Sequence, residues 1–186
     1  MMKDIGMRRL ETDRLILRKI TLDDGSAMLS NWASDEKTTA YLSWPAHKNL
    51  KETRAVIHKW VEGYSRPLGY NWGIEIKETG ELIGNIEVVS KNAGQQLCQV
   101  AFCIGSKWWN NGYATEALKE VLNFLLNKVG FYVVEAQYLA ENPAAGKVLM
   151  KAGMIKDGVM RKRYMGKSEP MELVMIRYSI IKSELF

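Results

Sequence analysis

One stretch, residues 108–130 (WWNNGYATEALKEVLNFLLNKVG), constrains the fold of this chain most. Within it Ala114, Ala117, Leu118, Val121, Leu122, Leu125 and Val129 recur at helical spacing, the stripe of an amphipathic helix. Glu116 stands in the first turn and Lys128 in the last, as the helix dipole prefers, and Gly130 supplies a stop. A run with strand character, residues 97–104, comes just before. The order is therefore strand, short loop, helix N-terminus. The first N–H groups of a helix have no partner within it, and the positive dipole end adds to them, so such a junction is a ready anion site. Gly112 lets the backbone approach a phosphate and Ala114 leaves room beside it. The plainer alternative is a turn before an ordinary helix.

The remaining elements follow from pattern. Residues 15–20 read as a strand, and Thr21 with Asp23 and Asp24 signals a helix that runs through Ala27, Met28, Leu29 and Trp32 to about Ser34. Residues 35–49 are polar and irregular. A second helix spans 50–64, with Val56, Ile57, Trp60 and Tyr64 on one face. Strands at 72–77, 81–90 and 97–104 form an antiparallel meander, because their connections are too short for crossovers. In the second of these Leu82, Ile86 and Val88 alternate against Asn85 and Glu87; in the third Val100, Phe102 and Ile104 share a face. Residues 132–139 form a strand free to run parallel to 97–104, since a helix lies between them. Asn142 reads as an N-cap and Pro143 as the first residue of a helix ending at Gly153. Strands near 154–163 and 171–180 close the chain.

At 186 residues, 47% hydrophobic and 25% charged, the chain suits a single globular domain, residues 1–186. No apolar run reaches the ~18 residues of a membrane span, and the N-terminus has no secretory h-region. Cys98 and Cys103 lie five apart in one strand, hence on opposite faces, and suit a reducing cytoplasm. His47 and His58 match no zinc spacing, so no metal is expected. The net charge of +5 allows an acidic partner or a merely basic surface. Arg161, Lys162 and Arg163 suggest RNA phosphates or an acidic tail, but an exposed strand is the favoured reading, so no direct nucleic-acid site is expected. Trp32 and Trp60 fall on helix faces and belong in a core; Trp44 and Trp72 either pack or line an acceptor cleft. Asn142 is either a ligand contact or simply a cap.

Five segments in this order, residues 11–18 (ETDRLILR), 80–84 (GELIG), 108–117 (WWNNGYATEA), 141–145 (ENPAA) and 151–154 (KAGM), resemble the GNAT superfamily of N-acetyltransferases. The nearest likeness is to its RimJ/RimL-like branch of ribosomal-protein N-terminal acetyltransferases. The resemblance implies an α+β fold: a mostly antiparallel twisted sheet of six to seven strands, one parallel pair splayed at the cofactor, and helices on both faces. It implies acetyl-CoA as acyl donor. Transfer would go to a primary amine of a protein N-terminus, ribosomal proteins included, or of a small molecule, by direct attack in a ternary complex. The protein would be a monomer or a homodimer.

The resemblance also implies a site. Backbone groups of Phe102, Cys103 and Ile104 would pair with the pantetheine arm. The N–H groups of Asn110, Asn111, Gly112, Tyr113, Ala114 and Thr115 would cradle the pyrophosphate. Asn142 would bond the arm, with Lys147 near the nucleotide. Four positions depart from the family: Trp109 replaces a common glutamine or arginine, Gln99 replaces a glutamate available as a base, and Ala145 and Leu149 replace the serine or tyrosine near the thiolate. The remaining carboxylates to test as base are Glu87 and Glu141, each with the alternative of an ordinary surface residue. Trp44 is the candidate acceptor wall. The competing reading is a non-catalytic acyl-CoA binding or sensing module.

Overall fold

The computed structural model describes Lys3, residues 5–165 and residues 170–185, and the side chains of all of these except 162–165 and 170–172. Eight strands are described: β1 (Leu10–Glu11), β2 (Leu15–Arg18), β3 (Asn71–Ile76), β4 (Leu82–Asn92), β5 (Leu97–Ile104), β6 (Val133–Leu139), β7 (Ile155–Met165) and β8 (Pro170–Ile181). They form one sheet in the order β1-β2-β3-β4-β5-β6-β8-β7. Only β5 and β6 run parallel, joined by the helix that the sequence placed between them. The expected six to seven strands are exceeded because Leu10 and Glu11 pair with Leu17 and Ile16. Two residues show no alternation from which to read a strand.

The helices are α1 (Gly25–Met28), α2 (Glu36–Thr39), α3 (Leu50–Gly63), α4 (Tyr113–Asn123) and α5 (Pro143–Lys151). Helices α4 and α5 cover one sheet face and bury the main core, which includes Leu17, Ile86, Val100, Leu118, Leu122 and Val134. On the other face α1, a π-helical turn over Leu29–Ala33 and α3 enclose a smaller core of Ile20, Met28, Trp32, Ala33, Ile57 and Leu82. Each fully buried Leu or Ile contributes about 1.5–3 kcal/mol relative to exposure. Cys98 lies in the main core and Cys103 against the smaller one; the opposite faces and unpaired thiols match the spacing argument.

Three expectations change. First, β4 carries an extra residue against β3, since Ile74 pairs with Gly84 and Glu75 with Leu82. This bulge turns Leu82 into the smaller core while Ile86 stays in the main one, so the two do not share a face. Second, the polar segment 35–49 contains α2, capped by the Asp35 side chain, which accepts the Lys37 N–H. Four residues are too few for a periodic signal. Third, Trp72 lines no cleft: it is fully buried, stacks on Tyr70 and donates its indole N–H to Arg8 O at 2.7 Å. The long helix does reach Gly130, but over Phe124–Val129 it widens to π-helical bonding, which keeps Phe124, Leu125, Leu126 and Val129 buried.

Candidate active site

The parallel pair opens into a gap. Pairing of β5 with β6 ends at Val100–Ala136, whereas β5 stays paired with β4 to Ile104–Gly84 and β6 with β8 to Leu139–Met175. Gly105 donates its N–H to Ile83 O, which fixes the alternation along β5. Ala101 and Cys103 therefore exchange backbone bonds with Glu87 and Asn85, and Phe102 and Ile104 turn theirs toward the gap. By the same rule Ala140 N–H to Val174 O sets β6, so Gln137 and Leu139 face the gap from the other side. Of the three residues expected along the arm, Cys103 thus has its backbone committed to β4. The Ile104 carbonyl is also taken, by the Trp109 indole N–H at 2.7 Å. What faces the gap from β5 is Phe102 N–H and C=O and Ile104 N–H.

Beyond Ile104 the chain forms the loop. A single 3-10 turn, Ser106–Trp108, buries Trp108 in the main core and anchors the segment. Asn110 and Gly112 then take left-handed backbone, φ 63° and 81°. Asparagine tolerates that region and glycine has no penalty there. Such turns direct successive N–H groups to a concave side. Helix α4 starts at Tyr113 with no side-chain cap, and its first internal bond is Glu116 N–H to Gly112 O at 3.0 Å. The N–H groups of Tyr113, Ala114 and Thr115 precede that bond. Asn110, Asn111 and Gly112 are exposed, and a Cβ on Gly112 would reach only to 3.5 Å from Arg14 Nη2. The strand edge suits an extended amide-bearing arm, and the loop suits the pyrophosphate at its end.

The loop is fastened by contacts between distant residues that the sequence pattern does not reveal. Glu116 accepts the Thr12 hydroxyl at 2.5 Å, the Arg14 backbone N–H at 2.9 Å and the Arg14 Nε at 2.7 Å. Arg14 Nη1 also reaches Asn111 O at 3.1 Å, and its guanidinium lies 4.6 Å over the Tyr113 ring. On the strand side, Asp35 accepts the Ser106 N–H at 3.0 Å.

The face away from α4 and α5 carries the polar groups. Glu87 sits opposite Ala101, the first β5 residue past the end of the β5–β6 pairing. It is part-buried, and among the described residues it has no ion pair or side-chain hydrogen bond; burial raises its pKa above the usual carboxylate range. Its neighbour on β3 is Asn71, 5% exposed, whose Nδ2 has no partner among the described residues. Gln99 lies beside Glu135 of β6, a carboxylate that the sequence reading passed over because only the register brings it there. Arg177 stands 3.7 Å from Glu135 and 3.2 Å from Asp157. The Cys103 thiol donates to Asn85 Oδ1 at 3.0 Å, and burial pushes its pKa up to about 12, which favours the protonated thiol at neutral pH.

The other expected residues spread out. Asn142 caps α5, accepting the Ala145 N–H at 3.4 Å, which leaves its NH2 group for other contacts. Lys147 and Glu141 are exposed. Leu149 is 1% exposed in the main core. Trp44 packs against the smaller core with its ring 4.8 Å from His47. Arg161 is exposed on β7; the side chains of Lys162 and Arg163 lie outside the described set.

A sheet that parts at one parallel pair, beside a glycine loop and an uncapped helix, is the frame of an acyl-CoA-dependent acetyltransferase. A family model described as an acetyltransferase (GNAT) domain matches residues 14–155. The Bacillus subtilis (strain 168) protein named Uncharacterized N-acetyltransferase YoaA is 31% identical over 93% of this chain and 96% of its own. The [Ribosomal protein uS5]-alanine N-acetyltransferase of Escherichia coli (strain K12) is 23% identical over 81% of this chain and 79% of its own. In fold, the chain matches the crystal structure of Microcin C7 self immunity acetyltransferase MccE, solved with acetyl-CoA and AMP, at a TM-score of 0.80. That match has 14% identity and covers 91% of this chain and 93% of the other. The chain belongs to the GNAT family of acetyltransferases, which take their acetyl group from acetyl-CoA. Among the described residues no helix is long and apolar enough to cross a membrane.

Proposed function

We propose that this chain transfers the acetyl group of acetyl-CoA to a primary amine, on a protein N-terminus or a small molecule, by direct attack in a ternary complex. The observation that carries this reading is the parted β5–β6 pair leading, through Gly112, into the uncapped start of α4. The pantetheine arm pairs with Phe102 and Ile104 along the β5 edge and meets the Asn142 amide. The pyrophosphate is held by N–H groups between Asn110 and Thr115, with Lys147 toward the nucleotide. The relative that acetylates ribosomal protein uS5 makes a ribosomal protein N-terminus the first acceptor to test.

The chemistry follows from the two faces of the gap. The donor lies on the side of α4 and α5, and the amine approaches from the side of Glu87. A gap-facing N–H of β5 polarises the thioester carbonyl, the kind of fixed donor that lowers a barrier most when aimed at developing charge. Glu87 takes the proton from the attacking nitrogen. A carboxylate whose pKa burial has raised is better matched to that task than an exposed one such as Glu141. The inert Cys103 thiol favours attack without an enzyme-bound acyl group.

Thiol release from acetyl-CoA over a panel of amines and N-terminal peptides tests this reading. Acceptor-dependent release is expected. Tight acetyl-CoA binding with no release for any acceptor would favour a sensing module.

A further inference from the structure

We propose that Asn71 is the positioning residue of the base: its side-chain NH2 donates to the Glu87 carboxylate when that group is charged, a role that rests on the assignment of Glu87 above. Asn71 on β3 and Glu87 on β4 are direct partners in the sheet. Val88 N–H donates to Tyr70 O at 2.9 Å, so the adjoining pair, Asn71–Glu87, is a non-hydrogen-bonded one, in which side chains stand closest. Opposed Cβ atoms in a sheet are about 4.5–5.5 Å apart, a span that a glutamate and an asparagine bridge together. Both residues lie on the face of the smaller core. Two residues along β3 on the same face, a Cβ on Gly73 would meet Ile20 and Leu82 of that core at 2.8 Å.

A directed chain of polar groups ends at Asn71. The Cys103 thiol donates to Asn85 Oδ1, and Asn85 Nδ2 donates to Asn71 Oδ1 at 3.3 Å. The Asn71 backbone is pinned as well: the Tyr64 hydroxyl donates to Asn71 O at 3.0 Å and accepts the Ile20 N–H at 2.9 Å. Backbone and side-chain oxygen are thus both engaged, and the buried Nδ2 is the arm of the amide with no partner among the described residues. A buried donor without an acceptor is costly. The carboxylate directly opposite is the acceptor that satisfies it, and a turn of the Glu87 side chain closes the bond.

The surroundings of Glu87 leave Asn71 as its donor. Burial alone raises the Glu87 pKa. The titratable groups that feel its charge are Tyr64, just past α3, and Cys103 of β5; both are pushed up to about 12 and are neutral at pH 7. Arg18 and Asp24, which also act on Tyr64, pair with each other at 2.9 Å. Across β5 the next acid is Glu135 of β6, whose cation is Arg177. Asn71 therefore orients the carboxylate and limits how far burial can raise its pKa, which keeps it a base at neutral pH.

Asn71→Leu keeps the size of the side chain and removes the amide. Carbon NMR of the Glu87 carboxyl, followed against pH, reads the contact without any substrate. In Asn71→Leu the Glu87 pKa should rise by about one unit, because a hydrogen bond to the charged form is lost. The acid limb of the kcat/KM profile should move up with it, while the KM for acetyl-CoA stays the same. In the native protein an Asn71 NH2 proton should shift downfield as Glu87 ionises, and should hold still in Glu87→Gln; this measurement decides the matter even where Asn71→Leu fails to fold. A Glu87 pKa that is alike in native and folded Asn71→Leu proteins, or native Asn71 protons that do not respond to Glu87, overturns the role of Asn71 and leaves Glu87 as base standing. An acid limb that does not follow a shifted Glu87 pKa overturns Glu87 as base, and the positioning role with it.

Discussion

Arg14 and Glu116 clasp the beginning of the sheet to the mouth of the loop. The guanidinium Nε donates to one carboxylate oxygen at 2.7 Å and the Arg14 backbone N–H to the other at 2.9 Å. The same guanidinium reaches Asn111 O, so one side chain spans the loop and the first turn of α4. Glu116 also suits the helix dipole, but its partners show a second task, holding the N–H groups of residues 113–115 in a fixed direction.

The clasp predicts an acid-sensitive stability term. Burial alone would raise the Glu116 pKa, but hydrogen bonds from Thr12 and from Arg14 outweigh it and hold the carboxyl below its usual range. A depressed folded pKa stabilises above the unfolded value, about 4.3, and that stability is lost as pH falls through the folded one. Glu116→Gln should cost about 1–2 kcal/mol at neutral pH, discounted because Arg14 is half exposed. Urea unfolding of both proteins across pH should show the difference shrinking below about pH 4. A difference that stays constant into strong acid contradicts the clasp.

Asp35 does similar work behind the loop. It accepts the Thr38 hydroxyl at 2.7 Å and the N–H groups of Lys37 and Ser106, each at 3.0 Å. Burial raises its pKa, but the bonds from Thr38, Ser106 and Lys37 prevail and bring it down to about 2. Its stabilisation should therefore be fully present above the ordinary aspartate pKa, about 3.9, and be lost as pH falls from there through about 2. Asp35→Ala loses a helix cap, typically about 1 kcal/mol, and frees the turn at Ser106. Thermal unfolding and acetyl-CoA titration should show lower stability together with weaker binding; lower stability with unchanged binding would separate Asp35 from the loop.

Glu87→Gln removes the proposed base and keeps the shape. Turnover should fall by about 10²–10⁴-fold, with little change in the KM for acetyl-CoA. Because burial raises the Glu87 pKa, the native enzyme should lose activity on the acid side above the ordinary carboxylate range. The variant should lack that limb. Activity within about two-fold of native, with the same pH profile, would assign the proton elsewhere, Glu135 being next.

Much of this was readable in the sequence because it depends on local pattern. The buried stripe from Ala117 to Val129, the stop at Gly130 and the Asn142-Pro143 helix start are all present in the structure. Elements as short as β1 and α2 are too brief to show a period; the other differences depend on register or on partners distant in the chain. One extra residue in β4 moved Leu82 to the other face. Glu135 comes beside Gln99, and Arg14 meets Glu116, only after the sheet is assembled. Trp72 gave no sign of whether it would be wall or core, because a single tryptophan has no period.

The central claim is that Gly112 and the N–H groups around it receive the pyrophosphate of acetyl-CoA, and one titration tests it most directly. Gly112 has φ 81°, so Gly112→Val adds a side chain to the loop and strains a left-handed residue by about 1–2 kcal/mol. Helix α4 keeps its buried face. Acetyl-CoA at about 100 times its dissociation constant should stabilise the native protein by about 2.7 kcal/mol. The folded variant should show no thermal shift over the same concentrations. A folded Gly112→Val protein that binds acetyl-CoA with native affinity would contradict the assignment of the loop.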